Sequence, residues 1–229
     1  MIVKICGITR AEDALTAAAL GATHVGLVFW PGSPRAVSRE AAERISAALP
    51  DHVTIVGVFA DATSETMNDM ADAVGLDVLQ LHGEETPGMA RQLRRPIIKA
   101  IPLRAAVGAM VQPLPDASAG SDDEGSTQPL AAALRAAESW RGVPLLLDAH
   151  DPVRKGGTGT TIDWDCAAQV ARRHDIILAG GLGPGNIGEA VARVRPAGVD
   201  ISSGVEARPG IKDVSRLRAL FAAIRKLEG

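Results

Sequence analysis

Aromatic side chains are scarce in this 229-residue chain, at 3% of the total, although hydrophobic residues make up 46%. Any core must therefore be assembled from Ala, Val, Ile and Leu. Cysteine is scarcer still. Cys6 and Cys166 lie far apart and without metal-ligand spacing, which suits a reducing cytosol better than a disulfide framework and offers no metal site. Basic residues are not in excess: the formal charge is −3 and the pI about 6.0, with no arginine-rich stripe, so nucleic acid is not the expected partner. No stretch of ~18 apolar residues could span a bilayer, and no basic segment leads into an apolar one near Met1. A soluble, cytoplasmic protein is expected, without membrane partners.

What the chain does have is rhythm. Short runs rich in Val and Ile fall at 2–6, 25–29, 53–59, 78–81, 97–101, 143–148, 176–179 and 199–201. Helical patterns fall between and after them, at 11–20, 39–49, 64–74, 86–93, 130–139, 164–173, 185–193 and 213–227. The first helix is expected to open with a capping box, Thr9-Arg10-Ala11-Glu12. The strands read as continuous apolar runs, the pattern of a parallel sheet covered on both faces. Eight strand–helix repeats predict an α/β fold, a single (β/α)8 (TIM) barrel of eight parallel strands spanning 1–229. An open doubly wound sheet would carry a glycine fingerprint after its first strand, where this chain has Cys6-Gly7-Ile8-Thr9. Length alone does not choose between one domain and two.

One segment breaks the rhythm. Residues 113–128 are polar, acidic and poor in large apolar side chains, so they cannot join a core. Either a flexible surface insertion or a lid fits this composition, and the insertion is favoured.

In barrels of this kind chemistry sits at the carboxyl ends of the strands. Cys6 ends the first strand there and Asp148 the sixth. On its own Cys6 reads more readily as a small buried hydrophobe than as a catalyst. Asp148 closes a run of leucines, where partial desolvation would raise its proton affinity. Arg35 follows two prolines in Trp30-Pro31-Gly32-Ser33-Pro34 and could clasp a substrate carboxylate in a bidentate manner, or be an ordinary solvated arginine. His82 is a core histidine or a substrate contact, and the residues alone favour the core histidine. Asp200 contacts substrate or orients the loop behind it. Three glycine-rich loops come last: Gly157-Thr158-Gly159, Gly180-Gly181 and Ser203-Gly204. Glycines let backbone N–H groups converge on a phosphate at a helix start, and three such loops in succession favour that reading over simple turns.

Read in order, Lys4-Ile5-Cys6-Gly7-Ile8-Thr9, Ser33-Pro34-Arg35, Gln80-Leu81-His82-Gly83, Leu146-Leu147-Asp148, Gly156-Gly157-Thr158-Gly159, Ala179-Gly180-Gly181-Leu182 and 200–206 closely resemble the phosphoribosylanthranilate isomerases of tryptophan biosynthesis. The resemblance runs the length of the barrel. It implies an Amadori rearrangement of a small phosphorylated substrate without any cofactor. Asp148 would be the general acid and Cys6 the general base, with Arg35 on the anthranilate carboxylate and His82 and Asp200 as further substrate contacts. The three glycine loops would hold the phosphate. A sister isomerase of histidine biosynthesis carries an aspartate where Cys6 stands, so Cys6 argues against that family. A monomer is favoured over a homodimer.

Overall fold

The computed structural model describes residues 1–103, 124–149 and 162–227. Its eight parallel strands are β1 (Ile2–Cys6), β2 (His24–Val28), β3 (Thr54–Phe59), β4 (Val78–Leu81), β5 (Ile97–Leu103), β6 (Leu145–Ala149), β7 (Ile176–Leu178) and β8 (Gly198–Ile201). They pair in sequence order, and β8 closes on β1 through Ile2↔Gly198 and Lys4↔Asp200. The predicted barrel is the fold observed. Around it lie α1 (Ala11–Leu20), α2 (Arg39–Ala48), α3 (Ser64–Val74), α4 (Pro87–Ala90), α5 (Glu124–Ser139), α6 (Trp164–Ala171), α7 (Ile187–Val194) and α8 (Val214–Arg225).

Alternation along each strand sorts the residues into two cores. Val3, Ile5, Leu27, Leu79, Leu145, Leu147, Val199 and Ile201 face outward. They pack with Ala14, Ala17, Met67, Leu217 and Phe221 of the helices. The other set faces the axis: Ile98, Ala100, Leu146, Ile177 and Ala179, with Ile2 and Val78 against them. A third, smaller group of Cys6, Val28 and Val58, with Trp30, sits where the strands end. Each leucine taken fully out of water contributes roughly 1.5–3 kcal/mol. Aliphatic side chains therefore suffice where aromatics are scarce.

Helix starts follow the sequence chemistry, with one exception. Ser38, Thr63, Thr86, Asp163 and Asp213 each accept backbone N–H groups from the first turn of the helix that follows, a contact worth about 1 kcal/mol apiece. The expected capping box at α1 is not formed. Arg10 takes the cap position without a side-chain cap, and the Thr9 hydroxyl donates instead to the Gly210 carbonyl. Glu12 is left on the surface, paired with Arg10.

Helix α5 begins at Glu124 rather than at 130, so the end of the acidic stretch is helical, while 113–123 lies outside the described residues. A ribbon not expected from the sequence follows β8. A 3-10 turn at Ser203–Val205 leads into antiparallel β9 (Glu206–Arg208) and β10 (Ile211–Lys212). Pro209-Gly210 turns the ribbon, with Gly210 at φ +81° as the third residue of a type II turn requires. Among the described residues no helix is long and apolar enough to cross a membrane.

Candidate active site

The carboxyl ends of the strands enclose a pocket of about 550 Å3, its open mouth included. Cys6, Arg35, His82, Asp148 and Asp200 all line it, with Trp30, Gln80 and Ser202 among their neighbours. Five side chains picked from five separate stretches of sequence thus meet at one place. Gly157, Thr158 and Gly159 lie outside the described residues.

The inward face of β1 carries Ile2, Lys4 and Cys6 in turn. Lys4 is entirely buried and donates to Asp200 Oδ1 at 2.9 Å. Asp200 is held one residue inside the end of β8, in register with Lys4. Burial alone would lower the proton affinity of Lys4, but Asp200 and Cys6 outweigh it and hold the ammonium above its ordinary value. Burial pushes the Asp200 carboxyl up, with Lys4 pulling back. Burial likewise pushes the Cys6 thiol up, against Lys4 and Lys212.

Asp148 is the next-to-last residue of β6, and Oδ1 accepts the N–H of Ala149 at 2.8 Å. Oδ2 is directed at His82 Nε2, 3.4 Å away. That separation is long for a hydrogen bond and leaves room for contraction around a substrate. Gln80 Nε2 stands 2.9 Å from His82 Nδ1. With the amide donating, the imidazole proton sits on Nε2, facing Asp148. His82 is therefore oriented from behind, and Gln80 does the orienting. Gln80 Oε1 is buried with no hydrogen-bond partner. The reversed amide would strand two N–H donors there instead of one acceptor.

The loop bearing His82 is tied to its neighbours. Glu85 accepts from Lys99 Nζ at 2.8 Å, from Asp61 N and from Gly83 N, while Asp61 Oδ1 accepts Glu84 N at 2.8 Å. Lys99 points outward from β5, and its ammonium also lies 5.6 Å from the centre of the Trp140 ring on the helix side. Asp61 adopts φ +57°, the left-handed region that asparagine and aspartate tolerate best. A Cβ at Gly83 would lie 2.2 Å from Asp61 Oδ1. Only glycine fits that crossing.

Arg35 is buried rather than solvated, and its fork is already engaged. Nε donates to Glu206 Oε1 at 2.8 Å and Nη2 to Oε2 at 2.7 Å. The expected bidentate grip on a substrate carboxylate is thus taken by Glu206 along this edge, which leaves the outer edge of the guanidinium for the pocket. Glu206 also accepts from Lys212 Nζ at 2.9 Å, and Lys212 reaches the Cys6 carbonyl at 2.7 Å. Burial pushes the Glu206 carboxyl up, but Arg35 and Lys212 outweigh it and hold it below its ordinary value. Gly7, at φ +73°, makes way for Arg35, since a Cβ there would lie 2.4 Å from the arginine Cδ.

The last two glycine loops sit side by side. Gly180 and Gly181 both take positive φ, and Asn186 ties their loop by accepting Gly183 N and donating to Gly181 O. A Cβ on Gly204 would strike the Leu182 carbonyl at 2.0 Å, so the Ser203-Gly204 turn packs directly on its neighbour. Among the described residues no group of three or more His, Cys, Asp or Glu side chains is placed to hold a metal ion.

Lys4, Gln80, Glu206 and Lys212 were not singled out from sequence. For Lys4 a signal existed: a lysine two residues before Cys6 in an apolar strand must share its face. Glu206 and Lys212 gave none, because the groups they hold in the site, Arg35 and the Cys6 carbonyl, lie far away along the chain.

A (β/α)8 barrel that gathers a thiol, two carboxylates, an imidazole and a guanidinium at the ends of its strands belongs to the acid/base barrel enzymes. The sequence model of the N-(5'-phosphoribosyl)anthranilate isomerase family matches residues 3–119 and 126–223, and the chain belongs to that family. The N-(5'-phosphoribosyl)anthranilate isomerase of Citrifermentans bemidjiense is 42% identical over 225 residues, covering 98% of this chain and 97% of the relative. The crystal structure of phosphoribosyl anthranilate isomerase from Thermotoga maritima superposes with a TM-score of 0.82 at 37% identity, covering 99% of this chain and 100% of that one. Another phosphoribosyl anthranilate isomerase, in complex with reduced 1-(o-carboxyphenylamino)-1-deoxyribulose 5-phosphate, matches with a TM-score of 0.78 at 35% identity over 99% and 100% of the two chains.

Proposed function

We propose that this chain isomerises N-(5'-phosphoribosyl)anthranilate to 1-(2-carboxyphenylamino)-1-deoxyribulose 5-phosphate in tryptophan biosynthesis, with Asp148 as general acid and Cys6 as general base. The observation that carries the reading is the meeting of these two side chains in one pocket at the carboxyl ends of β6 and β1. The Asp148 carboxyl protonates the ribose ring oxygen, and the ring opens to an iminium. The Cys6 thiolate then removes the C2′ proton, giving an enolamine that tautomerises to the ketone. One proton is given and one taken, so no co-reactant is needed.

The remaining residues bind. The outer edge of Arg35 faces the anthranilate carboxylate, a charge-assisted contact. His82 donates from Nε2 toward Asp148 or the ribose hydroxyls, and Asp200 anchors the floor of the site through Lys4. Gly180, Gly181, Ser203 and Gly204 receive the phosphate on backbone N–H groups. The ligand of the solved relative, reduced 1-(o-carboxyphenylamino)-1-deoxyribulose 5-phosphate, supports a phosphorylated substrate. No cofactor enters this scheme. The enzyme acts in the cytoplasm and as a monomer, although a Thermotoga maritima member of the family is described as dimeric.

Fluorescence of the anthranilate moiety reports turnover directly. Asp148→Asn and Cys6→Ser should each lower kcat by at least ~10²-fold, the usual worth of a positioned acid or base. Most of the activity surviving in both variants would overturn the assignment.

A further inference from the structure

Lys4 takes no step in the chemistry above, yet a fully buried ammonium inside a barrel demands a reason. The period of two along β1 turns Lys4 and Cys6 to the same side. Lys4 Nζ donates to Asp200 Oδ1 across the β1–β8 register, and its charge also favours the Cys6 thiolate. Gly26, the β2 residue paired with Cys6, leaves them the space. A Cβ there would lie 2.8 Å from Cys6 Sγ and 3.0 Å from Lys4 Nζ. Ammonium and sulfur therefore converge on one point beneath the pocket.

A base must first lose its own proton, and burial opposes that for a thiol. The charged groups around Cys6 come from every neighbouring element: Lys4 on its own strand, Asp200 on β8, Lys212 on β10 and Arg35 on the loop after β2. His24 on β2 faces Lys4, while Asp148 and His82 face Asp200. Of the three cations, Lys4 is the one that shares the inward face of β1 with Cys6, converges with it at Gly26 and pulls the thiol down most. Resting on the reading of Cys6 as the base, we propose that Lys4 is the positioning residue that holds the Cys6 thiolate, its charge divided between sulfur and Asp200. The two partners of Lys4 then have opposite effects. Removing the ammonium disfavours the thiolate, and removing the Asp200 charge leaves more of the ammonium for sulfur.

The test is the pH dependence of iodoacetamide alkylation in a Cys166→Ala background, where Cys6 is the one cysteine left. Lys4→Met should move the midpoint up by about one pH unit or more, a tenfold loss of thiolate below it. Lys4→Arg should restore much of the shift, and Asp200→Asn should move the midpoint down. If Lys4→Met alone does not fold, Asp200→Asn is compared with the Lys4→Met/Asp200→Asn pair, whose charges are removed together. The pH profile of kcat/KM should move in parallel. Superimposable alkylation profiles with and without Lys4 would overturn the proposal. Turnover that survives Cys6→Ser would instead remove the base while leaving the alkylation shift in place, so the two failures are told apart.

Discussion

The two ends of the barrel interior are built by the same strands and could hardly differ more. Toward the amino ends the axis is filled by Ile98, Ala100, Leu146 and Ile177, with Ile2 and Val78 against them. Two residues further along β1, β4 and β6 stand Lys4, Gln80 and Asp148, and β8 adds Asp200, every one buried and polar. The closed ladder holds all eight strands whichever side chains point inward. One end can therefore concentrate apolar contact while the other takes on charge. Burying an ion pair seldom adds net stability, because desolvation offsets the Coulomb gain. The polar end is thus kept for chemistry, and the apolar end compensates for it.

The sharpest way to break this contrast is to make both ends apolar. Lys4→Met combined with Asp200→Leu should lower turnover at least a hundredfold while leaving the thermal midpoint unchanged or raised. A large loss of stability in that double variant would mean the ion pair is structural after all. Leu146→Ala tests the opposite end. It should cost about 2–5 kcal/mol in denaturant titrations and leave kcat within a few-fold at temperatures where the variant stays folded.

The smallest effect concerns the rim. Glu206 has a carboxyl held below the ordinary glutamate value of 4.5, so its contribution to stability is complete above that value. The contribution is lost as pH falls through the depressed one. Urea midpoints of wild type and Glu206→Gln should therefore converge on acidification below about pH 4.5. Parallel curves down to pH 3 would contradict the Arg35–Glu206–Lys212 linkage.

Most of this arrangement was legible in the sequence because it depends on local periodicity. Runs of Val, Ile and Leu placed all eight strands, and β1, β4, α1 and α3 fall on the expected residues. The loops after those strands named Cys6, Arg35, His82, Asp148 and Asp200, which share the pocket. What escaped was of two kinds. Pairings across the fold, such as Arg35 with Glu206 or Lys4 with Asp200, have no signature in sequence spacing, because closure of the barrel creates them. Local signals were also outbid by tertiary ones. Thr9 had the chemistry of a cap, but the ribbon carbonyl of Gly210 offered its hydroxyl another acceptor. The ribbon itself was within reach, since Pro209-Gly210 is a turn pair between two short extended stretches.

The knot of Asp61, Glu84, Glu85 and Lys99 bears on how this enzyme could be rebuilt. Glu85 is bonded at once to the loop after β3, to its own loop and to a lysine on β5. Transplanting the 82–86 segment alone from another barrel would strand the Lys99 ammonium and unseat Asp61. The exchangeable unit is the cassette of both loops together with Lys99. Recombination breakpoints that respect that cassette should yield folded chimeras where finer cuts fail.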